Sequence, residues 1–387
     1  MTSALQFLCR HFQERRCQSC GIIELAYADQ LKKKEGQIAE LFLPELVLPD
    51  SLKPIVAADP VLNSRAKGKF AVTGSGSHPV IGLSDSDFSG IELLDCPLLA
   101  PPINEIIRDL KQLLPTFRIP PYDIGARTGE LKFIILKTCI GTGEASLRFV
   151  LRSRREIRTC TRLGKMLQGR HPGLAVFSAN IQPEPAAILE GPEELTLSKS
   201  RFTREVLAGV NLFFPAKSFS QVTPNVAVKL YQAAATKIAA KKPRLLLDLY
   251  CGTGAFSLFA ARQAAQVIGV EITAECREAA EMAAQQNGYD NCSFLSADVE
   301  SYLQRESLPP VDALILNPPR RGASEKTIQI LQRLRPELML YSSCNPESLK
   351  RDLLLLSPYY TVAALEPFDM FPLTEHVETL ATLVRRC

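Results

Sequence analysis

Between Asn225 and Pro319 the sequence alternates helix-period stretches with short apolar runs, and this alternation is the strongest constraint on its fold. Asn225–Ala240 reads as a helix, LLLDLY as a buried strand and Ala255–Ala265 as a helix. VIGVEI then reads as a strand, Ala274–Asn287 as a helix, and SFLSAD and ALILNPP as two more strands. Strands separated by helices pair in parallel, because each connection must cross back over the sheet before the next strand begins. Residues 207–387 are therefore expected to form an α/β domain with a Rossmann-like, doubly wound sheet.

Residues 56–206 obey another rule. Short β-rich runs such as KFAVTG, LKFIILKTCI, LRFVLRS and LAVFSANIQP alternate with Gly and Pro turns, interrupted by one helical segment near Ile103–Leu114. A mixed, largely antiparallel domain running to Val206 is expected. Residues 1–55 carry Cys9, Cys17 and Cys20 and a helix over Asp29–Phe42, with Leu31, Ile38, Leu41 and Phe42 on one face and lysines elsewhere. The 387 residues leave room for two or three such domains. No apolar run reaches the ~18 residues of a membrane helix, and the N-terminus lacks a secretory leader. A soluble, cytoplasmic protein without a membrane partner is expected. The net charge of +4 is too small to point to nucleic acid by itself.

The sharpest local signal is Asp248-Leu-Tyr-Cys-Gly252-Thr-Gly254, between a strand and a helix. Glycines there let the backbone turn tightly and approach a ligand, while the helix N-terminus offers free amides. Glu271 ends the next strand, where a carboxylate can hold ribose hydroxyls. A dinucleotide site wants Gly or Ala at the sixth place of G-x-G-x-x-G, which here is Ser257. S-Adenosylmethionine fits better, since Asp248 can meet its ammonium, and Asp298 after the third strand can receive the adenine amino group. The fold is then a class I S-adenosylmethionine-dependent methyltransferase.

Asn317-Pro-Pro-Arg320-Arg-Gly322 follows the fourth strand and stays extended at the carboxyl edge of the sheet. Arg320 stands where amino-group methyltransferases place an aromatic residue, which argues against methylation of an amino group. Cys344, in YSSCNP, should end a further strand near the methyl donor, as a buried thiol or as a nucleophile. Near the C-terminus Glu375, His376 and Glu378 lie among apolar residues, a setting that raises a carboxylate's pKa and suits it to act as a base, while Glu375 also reads as a solvated loop residue.

Eleven cysteines without a secretion signal argue against a disulfide framework. Cys9-x7-Cys17-x2-Cys20 supplies three thiols, and Cys96, followed by Pro, is the best candidate for a fourth. Zinc, a disulfide and an iron–sulfur cluster compete for them; zinc usually asks for paired C-x2-C units, of which there is one.

SFSQVTPN, DLYCGTGAFSL, VEIT, NPPRRG, YSSCNPESLKRD and FDMFPLTEHVETL together resemble the RNA 5-methyluridine methyltransferase family, most nearly its shorter 23S rRNA uracil-C5 branch without a TRAM domain. The resemblance implies S-adenosylmethionine-dependent C5 methylation of a uridine of the uracil(747) type in 23S rRNA. It implies Cys344 as nucleophile on C6, Glu378 as the base that removes the C5 proton, and base flipping to reach them. Gln221, Tyr250, Glu271 and Asn317 fall at its cofactor-contacting positions, beside Asp248, Gly252, Gly254 and Asp298. The family's three N-terminal cysteines and distant Asp-Cys-Pro imply a [4Fe-4S] cluster on Cys9, Cys17, Cys20 and Cys96, structural rather than redox.

Basic runs at Lys32–Lys34, at Arg65, Lys67 and Lys69, and at Arg152, Arg154, Arg155 and Arg158 are candidate phosphate contacts. A monomer is expected. Rival readings are the same chemistry on tRNA or another rRNA uridine, an inactive iron–sulfur RNA-binding protein, and a nucleotide-dependent oxidoreductase.

Overall fold

The computed structural model describes residues 9–43, 45–84, 90–185, 189–305 and 308–386. The N-terminal segment forms a short helix α1 (Arg10–Gln13) and the longer α2 (Tyr27–Phe42). A seven-stranded sheet comes next, built from β1 (Lys67–Gly74), β2 (Pro79–Leu83), β3 (Ile91–Glu92), β4 (Leu131–Thr138), β5 (Ala145–Leu151), β6 (Leu174–Ile181) and β7 (Glu193–Thr196), in the order β3-β2-β1-β4-β5-β6-β7. Helix α3 (Pro101–Phe117) and helix α4 (Ile157–Arg170) cover one face of it.

Two sequence expectations change here. The central domain holds two helices rather than one: α4 links β5 to β6 and makes that pair parallel, while the other pairs are antiparallel. Its apolar face is only Cys160, Leu163 and Leu167, and Gly164 lies against the Phe177 ring, so its periodicity is hidden by the charged run before it. Strand β8 (Phe202–Leu207) leaves the central sheet and pairs with β9 (Val210–Pro215) in a separate hairpin. The division expected after Val206 falls inside this hairpin, whose Leu212 and Phe214 pack against Ala280 and Ala283 further along the chain.

The C-terminal half contains α5 (Pro224–Lys241), β10 (Leu245–Leu249), α6 (Ala255–Ala260), β11 (Gln266–Glu271), α7 (Ala274–Asn287), β12 (Cys292–Ser296), α8 (Val299–Leu303), β13 (Ala313–Leu316), α9 (Glu325–Leu334), β14 (Leu338–Ser343), α10 (Pro346–Leu356), β15 (Tyr360–Phe368) and β16 (Glu378–Arg385). The strand order is β12-β11-β10-β13-β14-β16-β15. Strands β10 to β14 are parallel, as expected, and the central β10, β13 and β14 are buried along their whole length because helices cover both faces. The last two strands are not: β16 runs antiparallel between β14 and β15.

Helices α8, α9 and α10 share one core with Ile38 and Phe42 of α2, while α5 and α6 pack on the opposite face. The N-terminal segment is thus part of the C-terminal domain's core, and Leu52 and Val56 bridge to Leu365 and Phe368 of β15. The buried line of α2 runs Gln30, Lys34, Ile38, Phe42, so one of its lysines faces inward. Lys34 is 0% exposed; its ammonium donates to Asp369 Oδ1 at 2.5 Å and to the Phe371 carbonyl at 3.0 Å. Tyr27 donates its hydroxyl to the other Asp369 oxygen at 2.7 Å. Burial pulls the Lys34 pKa down, and the Asp369 charge pulls it back.

Breaking a buried pair from one side leaves an uncompensated charge, which costs about 3–5 kcal/mol. Lys34→Met is expected to lower stability by that amount in urea unfolding, while Lys32→Met on the exposed face leaves it unchanged. Equal effects would contradict the burial of Lys34.

Candidate active site

The site lies along the carboxyl edge of the parallel strands, where helix N-termini and loops converge. Strand β10 ends at Leu249, and the chain turns through three residues with positive φ: Tyr250 at 58°, Gly252 at 56° and Gly254 at 81°. A side chain on Gly254 would meet the Phe294 ring at 3.0 Å and Ala280 Cβ at 3.1 Å, whereas one on Gly252 would meet open space. Gly254 therefore serves packing, and Gly252 faces the space where a ligand can approach. Glu271 ties this loop to the end of β11: Gly252 N–H donates to one carboxylate oxygen at 3.1 Å and Thr273 N–H to the other at 2.9 Å. The Tyr250 hydroxyl bonds to Thr327 of α9.

Asp248 is fully buried within β10 and accepts from the Ser257 amide at 3.1 Å and the Ser257 hydroxyl at 2.6 Å. The residue that departs from the dinucleotide pattern is thus the one that holds this carboxylate. Burial raises the Asp248 pKa to about 7, and its Oδ1 has no partner among the described residues. Asp298 is more loosely placed. Strand β12 stops at Ser296, and Asp298 is the exposed N-cap of α8, accepting from Ser301 N–H at 3.0 Å. Asn317 is half-buried at the end of β13, its amide reaching the Leu249 carbonyl at 3.4 Å. Gln221 is buried in a small cavity beside Tyr231.

Cys344 follows β14, and Glu378 begins β16. Because these strands are antiparallel, with Ser343 opposite Thr379, the end of one and the start of the other meet at the same sheet edge. Glu378 is 1% exposed and accepts from the Ser342 hydroxyl at 2.5 Å; burial raises its pKa to about 7. The Cys344 thiol is raised first by burial and then by the Glu378 charge, while the Arg320 guanidinium opposes both. A buried carboxylate poised near neutrality beside a partly exposed thiol is a pairing of base and nucleophile.

The Asn317–Gly322 loop therefore contributes Arg320 as a charge near the thiol, a role its sequence does not reveal. His376 lies near the same guanidinium, and its pKa is lowered by burial and then by Arg320. Phe219, 66% exposed two residues before Gln221, also escapes sequence reasoning; an aromatic residue in a loop carries no pattern of its own.

The sequence leads one to expect four cysteines sharing a site. Cys9, Cys20 and Cys96 gather around Ile23, Leu98 and Leu373. Burial pushes the Cys20 thiol up to about 12, and the charges of Cys96, Cys17 and Cys9 add to it. All four are free thiols. Among the described residues no three His, Cys, Asp or Glu side chains are placed to hold a metal ion.

Of the basic runs, Lys34 is corrected from a candidate phosphate contact to a buried ion-pair partner. Burial also pushes Lys67 down to about 8, and Arg154 pairs with Glu193. Lys69, Arg155 and Arg158 remain exposed. No helix among the described residues is long and apolar enough to cross a membrane.

Comparison with known proteins gives the family. Residues 206–386 match the model of the tRNA (Uracil-5-)-methyltransferase family. The chain is 37% identical to the 23S rRNA (uracil(747)-C(5))-methyltransferase RlmC of Shewanella amazonensis, covering 97% of each chain. It is also 37% identical to the protein of that name from Vibrio vulnificus, covering 98% of this chain and 100% of the relative. The crystal structure of Pyrococcus abyssi tRNA (uracil-54, C5)-methyltransferase in complex with S-adenosyl-L-homocysteine superposes with a TM-score of 0.77 at 25% identity, over 95% of this chain and 86% of that one. With its fold, the matching family model and its near full-length relatives in agreement, the chain belongs to the RNA uracil-C5 methyltransferase family.

Proposed function

We propose that this protein methylates C5 of one uridine in 23S rRNA through a covalent adduct on Cys344. The observation that carries the reading is the Cys344–Glu378 pair, set by strand register at the sheet edge beside the Gly252 loop. C5 of uracil is too weak a nucleophile to attack a sulfonium methyl unaided. The partly exposed Cys344 thiol gives its proton to solvent water, and the thiolate adds to C6. The C5–C6 π pair moves toward O4, and C5 gains carbanion character. Bound S-adenosylmethionine supplies the electrophilic methyl group. Glu378 then takes the C5 proton, the C6–S bond breaks, and the C5–C6 double bond returns. Gln221, Asp248, Tyr250, Gly252, Glu271 and Asn317 would contact the methyl donor, with Gly254 shaping the loop by its packing on Phe294 and Ala280; Asp298 would reach the adenine only from its exposed cap position. The exposed Phe219 ring offers a surface for an unstacked base, and Lys69, Arg155 and Arg158 offer charges for phosphates.

Cys9, Cys17, Cys20 and Cys96 fit a [4Fe-4S] cluster. Cys9, Cys20 and Cys96 gather in one small cluster, and the Cys-x7-Cys-x2-Cys spacing, with its single C-x2-C pair, suits an iron–sulfur cluster better than zinc. Their packing on Leu373, five positions before Glu378, makes the cluster a structural support for the loop that carries the base.

Incubation with labelled S-adenosylmethionine and total rRNA or tRNA, read by mass spectrometry, should give one 5-methyluridine in 23S rRNA; modification of tRNA alone would overturn the substrate assignment. Protein purified without oxygen should hold about four irons and four sulfides per chain and lose them in Cys17→Ser, whereas stoichiometric zinc would refute the cluster.

Stability should also depend on pH through Glu378. The native Glu378 carboxyl holds its proton more tightly than in the unfolded chain, from a usual 4.5 up to about 7. That contribution to stability is complete below pH about 4.5 and is lost as pH rises through about 7. Glu378→Gln cannot ionise, so its stability relative to the wild type should rise between pH about 5 and about 8. A difference independent of pH would show that Glu378 titrates normally.

A further inference from the structure

Lys137, on β4, is a buried cation near this site whose chemistry the mechanism leaves unused. It is 8% exposed, and its ammonium has no hydrogen-bond partner among the described residues. Its side chain faces a cavity of ≈ 20 Å³, room for one small polar group, lined also by Thr138, Glu205, Phe214, Gln221 and Tyr231. The groups around it do not satisfy it. Its Nζ lies 3.0 Å from the Phe214 ring centroid, which attracts a cation but supplies no acceptor. The Glu205 carboxylate is spent on the amides of Ile140 at 2.7 Å and Gly141 at 2.6 Å. Lys67, its register partner on β1, is another cation. Left so, Lys137 is held near pH 7 between its charged and neutral forms, chiefly by burial.

The cavity borders the methyl-donor side of the site. Gln221 lines it, and Tyr231, on its wall, feels the charges of Glu378 and Asp248. Asp248 does not line the cavity but lies behind its Tyr231 wall, where the Tyr231 ring packs on Phe256 with centroids 4.8 Å apart and the next residue, Ser257, holds Asp248. Its Oδ1 is a second buried atom without a partner among the described residues. The two orphans have opposite sign, and a buried group that lacks its partner is costly. One ligand feature satisfies both: the zwitterionic amino-acid end of a methionine derivative, with its ammonium toward Asp248 and its carboxylate toward Lys137.

We propose that Lys137, contributed by the central β domain, binds the α-carboxylate of the methyl donor, so that the two domains are joined through the cofactor. The assignment rests on the reading of the sheet edge as an S-adenosylmethionine site.

Calorimetry with S-adenosyl-L-homocysteine and with its decarboxylated counterpart tests it without turnover. The wild type should bind the intact compound about 10- to 100-fold more tightly, the range for a lost charged hydrogen bond. Lys137→Met, or Lys137→Gln if the first does not fold, should lose that discrimination by weakening only the intact compound. A wild type that binds both compounds equally, or variants that keep the discrimination, would overturn the role of Lys137. A wild type that binds neither would overturn the methyl-donor site itself and this role with it.

Discussion

The pairing of β16 against β14 is the constraint on which the site depends. The five parallel strands bring cofactor-side residues to one edge, but a parallel strand can deliver only the residues just beyond its carboxyl end. Glu378 arrives there because β16 runs backward, so its first residue meets the end of β14. A slip of one position would turn Glu378 to the other face of the sheet and part it from Cys344. The same pairing buries Glu378 completely. Burial then raises its pKa, and its charge in turn raises the neighbouring thiol.

The loop between β15 and β16 must therefore be held, and the N-terminal segment together with the N-cap of α5 holds it at several points. Lys34 and Tyr27 grip Asp369 at its start, Thr223 donates to the Met370 carbonyl at 2.8 Å, and Ile22 N–H donates to the Leu373 carbonyl at 3.2 Å. Lys33 pairs with Glu375 at the surface. The cysteine-bearing segment and Glu378 thus share one scaffold, with Cys9, Cys20 and Cys96 packed in one cluster with Leu373.

Much of this is legible in the residues. The βαβ alternation, the Gly252 turn, the carboxylate of Glu271 and the placement of Cys344 at a strand end all come from local pattern, because each depends on neighbours in sequence. The features that stay hidden depend on distant partners. Lys34 reads as a solvent-facing lysine because nothing nearby announces Asp369. Helix α4 reads as a basic run because its buried stripe is three residues wide. Glu378 reads as a carboxylate among apolar residues, and only the antiparallel return strand shows why it reaches the thiol. Lys137, after the apolar run FIIL of β4, gives no sign that the hairpin β8–β9 seals it in.

The central claim is that Cys344 bonds to C6 of the target uracil while Glu378 waits for the C5 proton. Substrate RNA carrying 5-fluorouridine offers no such proton, so the adduct cannot be released. Incubation with this RNA and S-adenosylmethionine, followed by protease digestion and mass spectrometry, should yield a methylated nucleotide attached to the peptide containing Cys344. An adduct on another residue, or an undiminished adduct in Cys344→Ala, would contradict the account.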